Sequence, residues 1–408
     1  MKKVISHKRI GIYGFYGFGN IGDEAILSAM ILALKNEIKD VKITVFSNDP
    51  SGTTKIHKVR AIRQIPFRII PFGIAFLKGR FFQILNELWN TDLLIIGGGG
   101  FLSDWQSWTI IPEWLWPAVA AKIFKKKVML YAVGVSGVKT KAGKFLIKIS
   151  LNRFIDVITV RDDISRRWLK KSGVKKEIHI TADPAILLEP TESDRTNEIL
   201  KKEQINDSNP LIGIAVAPIF KNPKYGHNQQ KRFGELRDFW IKLIDIIALK
   251  FKADIIIIPM QLPLDREYAQ NLLQDIKNKH RVKIITGNYV PREIMGLIGR
   301  MGILIGMRFH SLVFAAKMGV PMVGIIYDPK AHCFLKEMGQ RKFAMDIGDG
   351  TLWRNKKLNL DEVVKNLDIV WLNKKGIKED IEKMTEKLCS KALLNAKLSH
   401  VLLEKDGK

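Results

Sequence analysis

Two α/β domains, each a parallel sheet wrapped by helices on both faces and opening onto a shared cleft, are the architecture this sequence predicts. Three observations carry the prediction. Short runs rich in Ile, Val and Leu alternate with helical stretches along almost the whole chain, the pattern of parallel strands buried on both faces. The alternation pauses once, over residues 189–210, and then restarts. The length of 408 residues suits two cores of roughly 150–200 residues better than one.

In the first half, the apolar run from Arg9 enters a glycine turn at Gly14 and is followed by a helix over about 23–38. Strands are expected at 42–46, 92–96, 128–133 and 157–160, with helices at about 115–124, 141–152 and 162–171. Residues 189–210, from Glu189-Pro190-Thr191 to Asn209-Pro210, are polar and have the character of a loop. Beyond them, strands at 211–216, 254–258, 282–285, 303–305 and 322–326 alternate with helices at about 233–250, 265–278, 291–299, 310–318 and 361–373. The tail is a charged amphipathic helix by pattern. The expected division is an N-terminal domain over 1–188, a linker over 189–210, a C-terminal domain over 211–375 and a terminal helix over 376–408.

Composition narrows the function. A formal net charge of +26 points to anionic partners, whether nucleic acid, a membrane face or acidic small molecules. The cations are spread along the chain and form no nucleic-acid-binding motif, so a basic enzyme acting on anions near a membrane is the expectation. Cys333 and Cys389 lie far apart and form neither a disulfide framework nor a zinc motif. No signal-like start and no long uncharged apolar run are present. A cytoplasmic location follows as the expectation, with peripheral membrane attachment. Residues 66–89 mix Phe67, Phe72, Phe76, Phe81 and Phe82 with Arg68, Lys78 and Arg80. Such a mixture suits a membrane-surface segment, and equally a helix packed on the sheet or a subunit contact. The oligomeric state is left open.

Four motifs bear chemistry. Gly17-Phe18-Gly19-Asn20-Ile21-Gly22 satisfies G-x-G-x-x-G after a strand, the spacing of a dinucleotide-binding turn. Asp23 and Glu24 follow at once, however, and would repel a pyrophosphate at the helix start. The turn therefore suits hydroxyl groups, with Asn20, Asp23 and Glu24 as hydrogen-bonding partners; Asp23 as a plain helix cap is the alternative. Next, Gly97-Gly98-Gly99-Gly100 closes an apolar strand. Its backbone at Gly98 and Gly99 can approach an anion closely, or it is merely a flexible loop. Arg161 ends a strand before Asp162-Asp163 and can hold a carboxylate or phosphate, or else pair with the acids that follow it. Finally, Met307-Arg308-Phe309-His310-Ser311 and Tyr327-Asp328-Pro329-Lys330 place Arg308, His310 and Lys330 at neighbouring strand ends. A histidine among cations at such a turn suits proton transfer more than packing.

Together with Ala182-Asp183-Pro184-Ala185, these motifs resemble the polysaccharide pyruvyl transferase family, particularly the bacterial enzymes that place a pyruvate ketal on a cell-wall sugar. The resemblance runs from about Ile10 to Gly339. It implies a GT-B-like pair of Rossmann-type domains, phosphoenolpyruvate as donor substrate, no cofactor and no metal. The implied acceptor is a lipid-linked or nucleotide-linked saccharide. By motif position Arg161, His310 and Lys330 match the family's cationic donor site, and Tyr16 and Phe18 its acceptor-side aromatics. The chemistry agrees with the residues. An acid near neutral pKa protonates the methylene carbon of phosphoenolpyruvate, which favours His310, while Lys330 and Arg161 hold the anion. Asp23, Glu24, Asp104 and Asp183 are the candidate bases. The competing readings are a GT-B glycosyltransferase using a nucleotide sugar, a nicotinamide-dependent dehydrogenase, and a non-catalytic saccharide- or membrane-binding protein.

Overall fold

The computed structural model describes residues 7–65, 79–104, 109–135, 137–221, 229–348 and 358–404. The chain forms two compact units. Unit 1 comprises Met1–Phe18, Asp23–Leu187 and Leu388–Lys408; unit 2 comprises Gly19–Gly22 and Leu188–Lys387.

Unit 1 holds a seven-stranded sheet of β1 (Arg9–Tyr13), β2 (Lys42–Ser47), β3 (Arg60–Arg63), β4 (Leu93–Gly97), β5 (Lys127–Val133), β6 (Val157–Val160) and β7 (His179–Ile180). The spatial order is β3-β2-β1-β4-β5-β6-β7 and every pairing is parallel. Helices α1 (Ile21–Glu37) and α2 (Pro50–His57) serve the half that winds from β1 out to β3. Helices α3 (Arg80–Trp89), α4 (Ile110–Ile123), α5 (Lys141–Phe154) and α6 (Asp163–Lys171) serve the half that winds back from β3 to β7. Right-handed crossovers put the two sets on opposite faces. Burial agrees: Ile84, Leu88, Leu115, Ile147 and Leu151 share one core with Leu94, Leu130 and Val160. Covered on both faces, β4 is buried at all five positions, which is why it is a continuous apolar run in sequence.

Unit 2 repeats the design. Its strands are β8 (Leu211–Ala215), β9 (Asp254–Ile257), β10 (Val282–Ile284), β11 (Ile303–Gly306), β12 (Met322–Ile326) and β13 (Met345–Asp346). They lie parallel in the order β10-β9-β8-β11-β12-β13. The helices are α7 (Ser193–Lys202), α8 (Gln229–Lys250), α9 (Leu264–Asp275), α10 (Pro291–Ile298), α11 (Phe309–Lys317), α12 (Pro329–Glu337) and α13 (Leu360–Leu372). Side-chain caps start several helices in both units. Asp162 accepts from the Ser165 N–H, Thr140 from Gly143 and Asn359 from Glu362. The last helix, α14 (Lys374–Glu404), is continuous. Its residues up to Lys387 belong to unit 2, where Thr385 donates to the Ala316 carbonyl. From Leu388 it belongs to unit 1, where the buried Asn395 bonds Thr159 and Thr181.

The polar stretch 189–210 differs from the loop expected of it, because α7 lies inside it. Thr196, Ile199 and Leu200 recur at helical spacing, are buried, and pack α7 on α10. Around them the helix is charged, so composition alone conceals it. Of the aromatic segment 66–89, residues 66–78 lie outside the described residues. The remainder is α3, whose Ile84 and Leu88 enter the core of unit 1.

Candidate active site

In a doubly wound sheet the crevice lies at the carboxyl ends of the two strands where the winding reverses. In unit 1 those strands are β1 and β4, which lead into the Gly14–Phe18 turn and the Gly97–Gly100 loop. The two segments press together. A Cβ at Gly14 would come within 2.7 Å of the Gly97 carbonyl oxygen, and the Tyr16 hydroxyl donates to that same oxygen at 2.6 Å. Tyr16 is wholly buried. Burial first, and then the nearby Asp23 and Glu24 carboxylates, push its phenol well above the ordinary range. Tyr16 is thus a pillar between turn and loop and not the acceptor-facing aromatic expected from the motif. Phe18 is the exposed one, stacked on Phe15 with ring centroids 4.1 Å apart and planes 9° from parallel. Phe15 was not singled out by the motif, although its place two residues from Tyr13 and three from Phe18 signals an aromatic face.

Glu24 also turns inward. It accepts the Gly17 N–H at 2.8 Å and meets His57 Nε2 at 2.7 Å, and His57 Nδ1 lies 3.0 Å from the Ser28 hydroxyl. Glu24 is buried and ties the turn to α1 and α2. Its carboxylate occupies the amide that a pyrophosphate would need, a physical reason against a dinucleotide in this turn. Asp23 is buried beside the glycine loop: a Cβ on Gly99 would come within 3.3 Å of its Oδ1. Gly98 adopts φ +70°, and a Cβ there would strike Ile26, Met30 and Tyr16. Its N–H donates to the Tyr131 carbonyl at 2.9 Å, so this amide holds the loop and is not available to an anion.

Arg161, at the end of β6, reaches beneath the same loop. It is buried, donates to Asp183 at 2.8 Å and lies 3.7 Å from Asp162. A Cβ on Gly134 or Gly100 would come within 2.5 or 3.0 Å of its guanidinium. Two motifs therefore meet here, Arg161-Asp162 and the Asp183 of Ala-Asp-Pro-Ala. Of the other candidate bases, Asp183 is committed to Arg161 and the Ala185 N–H. Asp104 accepts from Lys139, Thr140 N–H and the Thr140 hydroxyl ahead of α5.

In unit 2 the reversal lies between β8 and β11. β11 runs into Arg308, the N-cap of α11, and His310 sits in the first turn of that helix. The Arg308 guanidinium grips Asp265 with two bonds of 3.0 and 2.5 Å. Asp265 is completely buried and also takes the Met260 and Gln261 N–H groups. Sequence reasoning missed Asp265; its position just after a strand, in the first turn of α9, was the available signal. Lys330 stands at the start of α12, 3.2 Å from Asp328 and 5.8 Å from the centre of the Phe309 ring. Phe309 in turn meets the His310 ring at 4.9 Å and Phe334 at 5.6 Å. His310 and Lys330 are thereby brought to the Phe309 ring at the ends of adjacent strands, with Arg308 next in sequence and turned to Asp265.

Part of the first glycine motif belongs to this unit. Ile21 donates to the Met260 carbonyl, Leu262 donates to that of Gly19, and Asn20 pairs with Gln261. Asn20 Oδ1 accepts the Gly22 N–H at 2.9 Å. Gly22 lies so close to His310 that any Cβ would overlap the imidazole. Asn20 is therefore grouped with His310 and Arg308, whereas Tyr16, Phe18, Asp23 and Glu24 belong to unit 1. The three expected donor cations divide likewise, Arg161 in unit 1 and His310 and Lys330 in unit 2. Among the described residues no cluster of three or more His, Cys, Asp or Glu is placed to hold a metal ion, and no helix is long and apolar enough to cross a membrane.

Solved structures share this fold. Anabaena Alr3699/HepE, determined in complex with UDP-glucose, superposes with a TM-score of 0.62 at 12% identity, covering 97% of this chain and 99% of that one. The UDP-GlcNAc 2-epimerase of Methanocaldococcus jannaschii gives 0.57 at 15% identity over 89% and 92% of the two chains. Such neighbours place the two Rossmann-like units in the GT-B-like class. In sequence, the amylovoran biosynthesis protein AmsJ of Erwinia amylovora is 23% identical over 376 residues, 83% of this chain and 88% of that protein. The characteristic pattern of polysaccharide pyruvyl transferases matches residues 20–329, and this chain belongs to that family.

Proposed function

We propose that the protein transfers the pyruvyl group of phosphoenolpyruvate to two hydroxyls of a saccharide, closing a cyclic ketal and releasing phosphate. Family membership supports a polysaccharide-modifying transferase. The observation that carries the finer reading is the placement of His310 and Lys330 at the Phe309 ring, beside Arg308 at the start of α11.

The donor has a carboxylate and a phosphate, so its pocket needs cations, and the first-turn N–H groups of α11 add to their field. His310 delivers a proton to the methylene carbon, which becomes a methyl group. The cation left on the neighbouring carbon is captured by one sugar hydroxyl. The second hydroxyl attacks the same carbon as its bond to the phosphate oxygen breaks. Of the two hydroxyl protons, one restores His310 and the other leaves with the phosphate. Lys330 holds the anion throughout, and Arg308, paired with Asp265, braces the turn that carries His310. Arg161, neutralised by Asp183, shapes the glycine loop in unit 1 in this scheme. The acceptor is a saccharide, carried on a lipid phosphate in our reading.

Calorimetry tests the donor. Phosphoenolpyruvate is expected to bind saturably and at least about tenfold more weakly to Lys330→Ala, the cost of losing a charge-assisted contact. UDP-glucose, the ligand of HepE, is expected to bind neither. Tight UDP-glucose binding with no response to phosphoenolpyruvate would replace this reading with a nucleotide-sugar glycosyltransferase.

A further inference from the structure

Helices α3, α4 and α5 lie side by side over one face of the sheet in unit 1, and their inner side chains fill its core. Their outer side carries large apolar residues among its polar ones. Trp89 at the end of α3 is 60% exposed, Ile123 at the end of α4 is 73% exposed, and Phe145 on α5 is 60% exposed with Ile149 one turn on. Single exposed apolar residues are ordinary, but large ones on each of three neighbouring helices are less so. α4 is apolar along nearly its whole length. Ile111, Leu115 and Ala118 point inward and Trp116 packs against the same core, while Val119 is half-buried and Ile123, one turn on, is exposed. A helix apolar on both sides wants cover on both sides.

Charge names the cover. The three helices carry six cations and two acids. One acid, Glu87, is engaged by Arg60. α5 has Lys141, Lys144, Lys148 and Arg153 and no acid at all, and Lys144 and Lys148 directly precede the exposed Phe145 and Ile149. Lys125 and Lys126 follow Ile123. Two copies of such a face would bring cations against cations, which disfavours self-association. An anionic interface with an apolar interior suits it.

We propose that the outer face of α3–α5 docks on an anionic phospholipid surface. The apolar side chains enter the headgroup boundary and the lysines meet the lipid phosphates. This goes beyond the transferase reading and stands or falls without it.

The test uses the full chain and sedimentation with vesicles of phosphatidylcholine, with and without phosphatidylglycerol. Wild type is expected to sediment with the anionic vesicles and to release as salt is raised. The triple variant Ile123→Ser, Phe145→Ser, Ile149→Ser and the double variant Lys144→Glu, Lys148→Glu are each expected to partition at least about tenfold less. All five positions are surface sites, and unchanged thermal melts verify that the variants fold. Wild type that stays in solution, folded variants that bind as well as wild type, or equal binding to neutral vesicles would overturn the proposal. So would a dimer that the triple variant disperses, because the face would then belong to a second copy.

Discussion

Replacing His310 by alanine is expected to lower turnover at least about 100-fold while the fold is kept, the loss typical of a general acid. The histidine is half-buried in the first turn of α11, and its substitution empties no core position. Lys330→Ala is expected to fall comparably, since its charge would stabilise the departing phosphate. Gly22 supplies the control. A side chain there would overlap the imidazole, so Gly22→Ala is expected to lower turnover by displacing His310. The double variant should then be no slower than His310→Ala alone, the signature of two changes acting on one group. Multiplying losses would show that Gly22 acts elsewhere, and near-wild-type turnover of folded His310→Ala would remove the histidine from the mechanism.

Asp265→Ala is expected to destabilise unit 2 by about 3–5 kcal/mol, the cost of removing one partner of a buried ion pair. Asp265 has no exposed surface, and it is the bidentate partner of Arg308 as well as the acceptor of two backbone N–H groups. Its loss removes two charge-assisted bonds from a guanidinium and the shared acceptor of two amides. Against a total stability of about 5–15 kcal/mol for an ordinary domain, that is a large fraction. Asp265→Asn keeps the shape and one acceptor, and is expected to lose less. Urea denaturation followed by tryptophan fluorescence measures both. A midpoint unchanged in Asp265→Ala would show that Arg308 finds another partner and that its orientation does not depend on this carboxylate.

How much of this was legible in sequence depended on how the signal is written. Strands such as β4 and β12 announce themselves because burial on both faces demands an unbroken apolar run. The edge strand β3, Arg-Ala-Ile-Arg, faces solvent at its ends and carries no such run. α2 is mostly polar and was not expected; its Asp49 cap and the Pro50 that follows were the available signals. Within the candidate site, the cationic turn Arg308–His310 and its neighbour Lys330 were visible because each sits at a strand end. The partners were not. Asp265 lies 43 residues from Arg308, and the carbonyl that fixes Tyr16 lies 81 residues away at Gly97. A motif shows that Tyr16, Glu24 and Arg161 matter without showing whether they face a ligand or the interior. Here each has an internal partner, and that is a fact of packing.

The measurement that bears most directly on the central claim is a single incubation of the protein with phosphoenolpyruvate and a set of lipid-linked saccharides, followed by phosphate assay and mass spectrometry of the glycan. The account predicts phosphate released in step with a pyruvyl ketal on the sugar, both abolished in His310→Ala. Glycan that gains a sugar residue from a nucleotide-sugar donor, with no phosphate released from phosphoenolpyruvate, would contradict it.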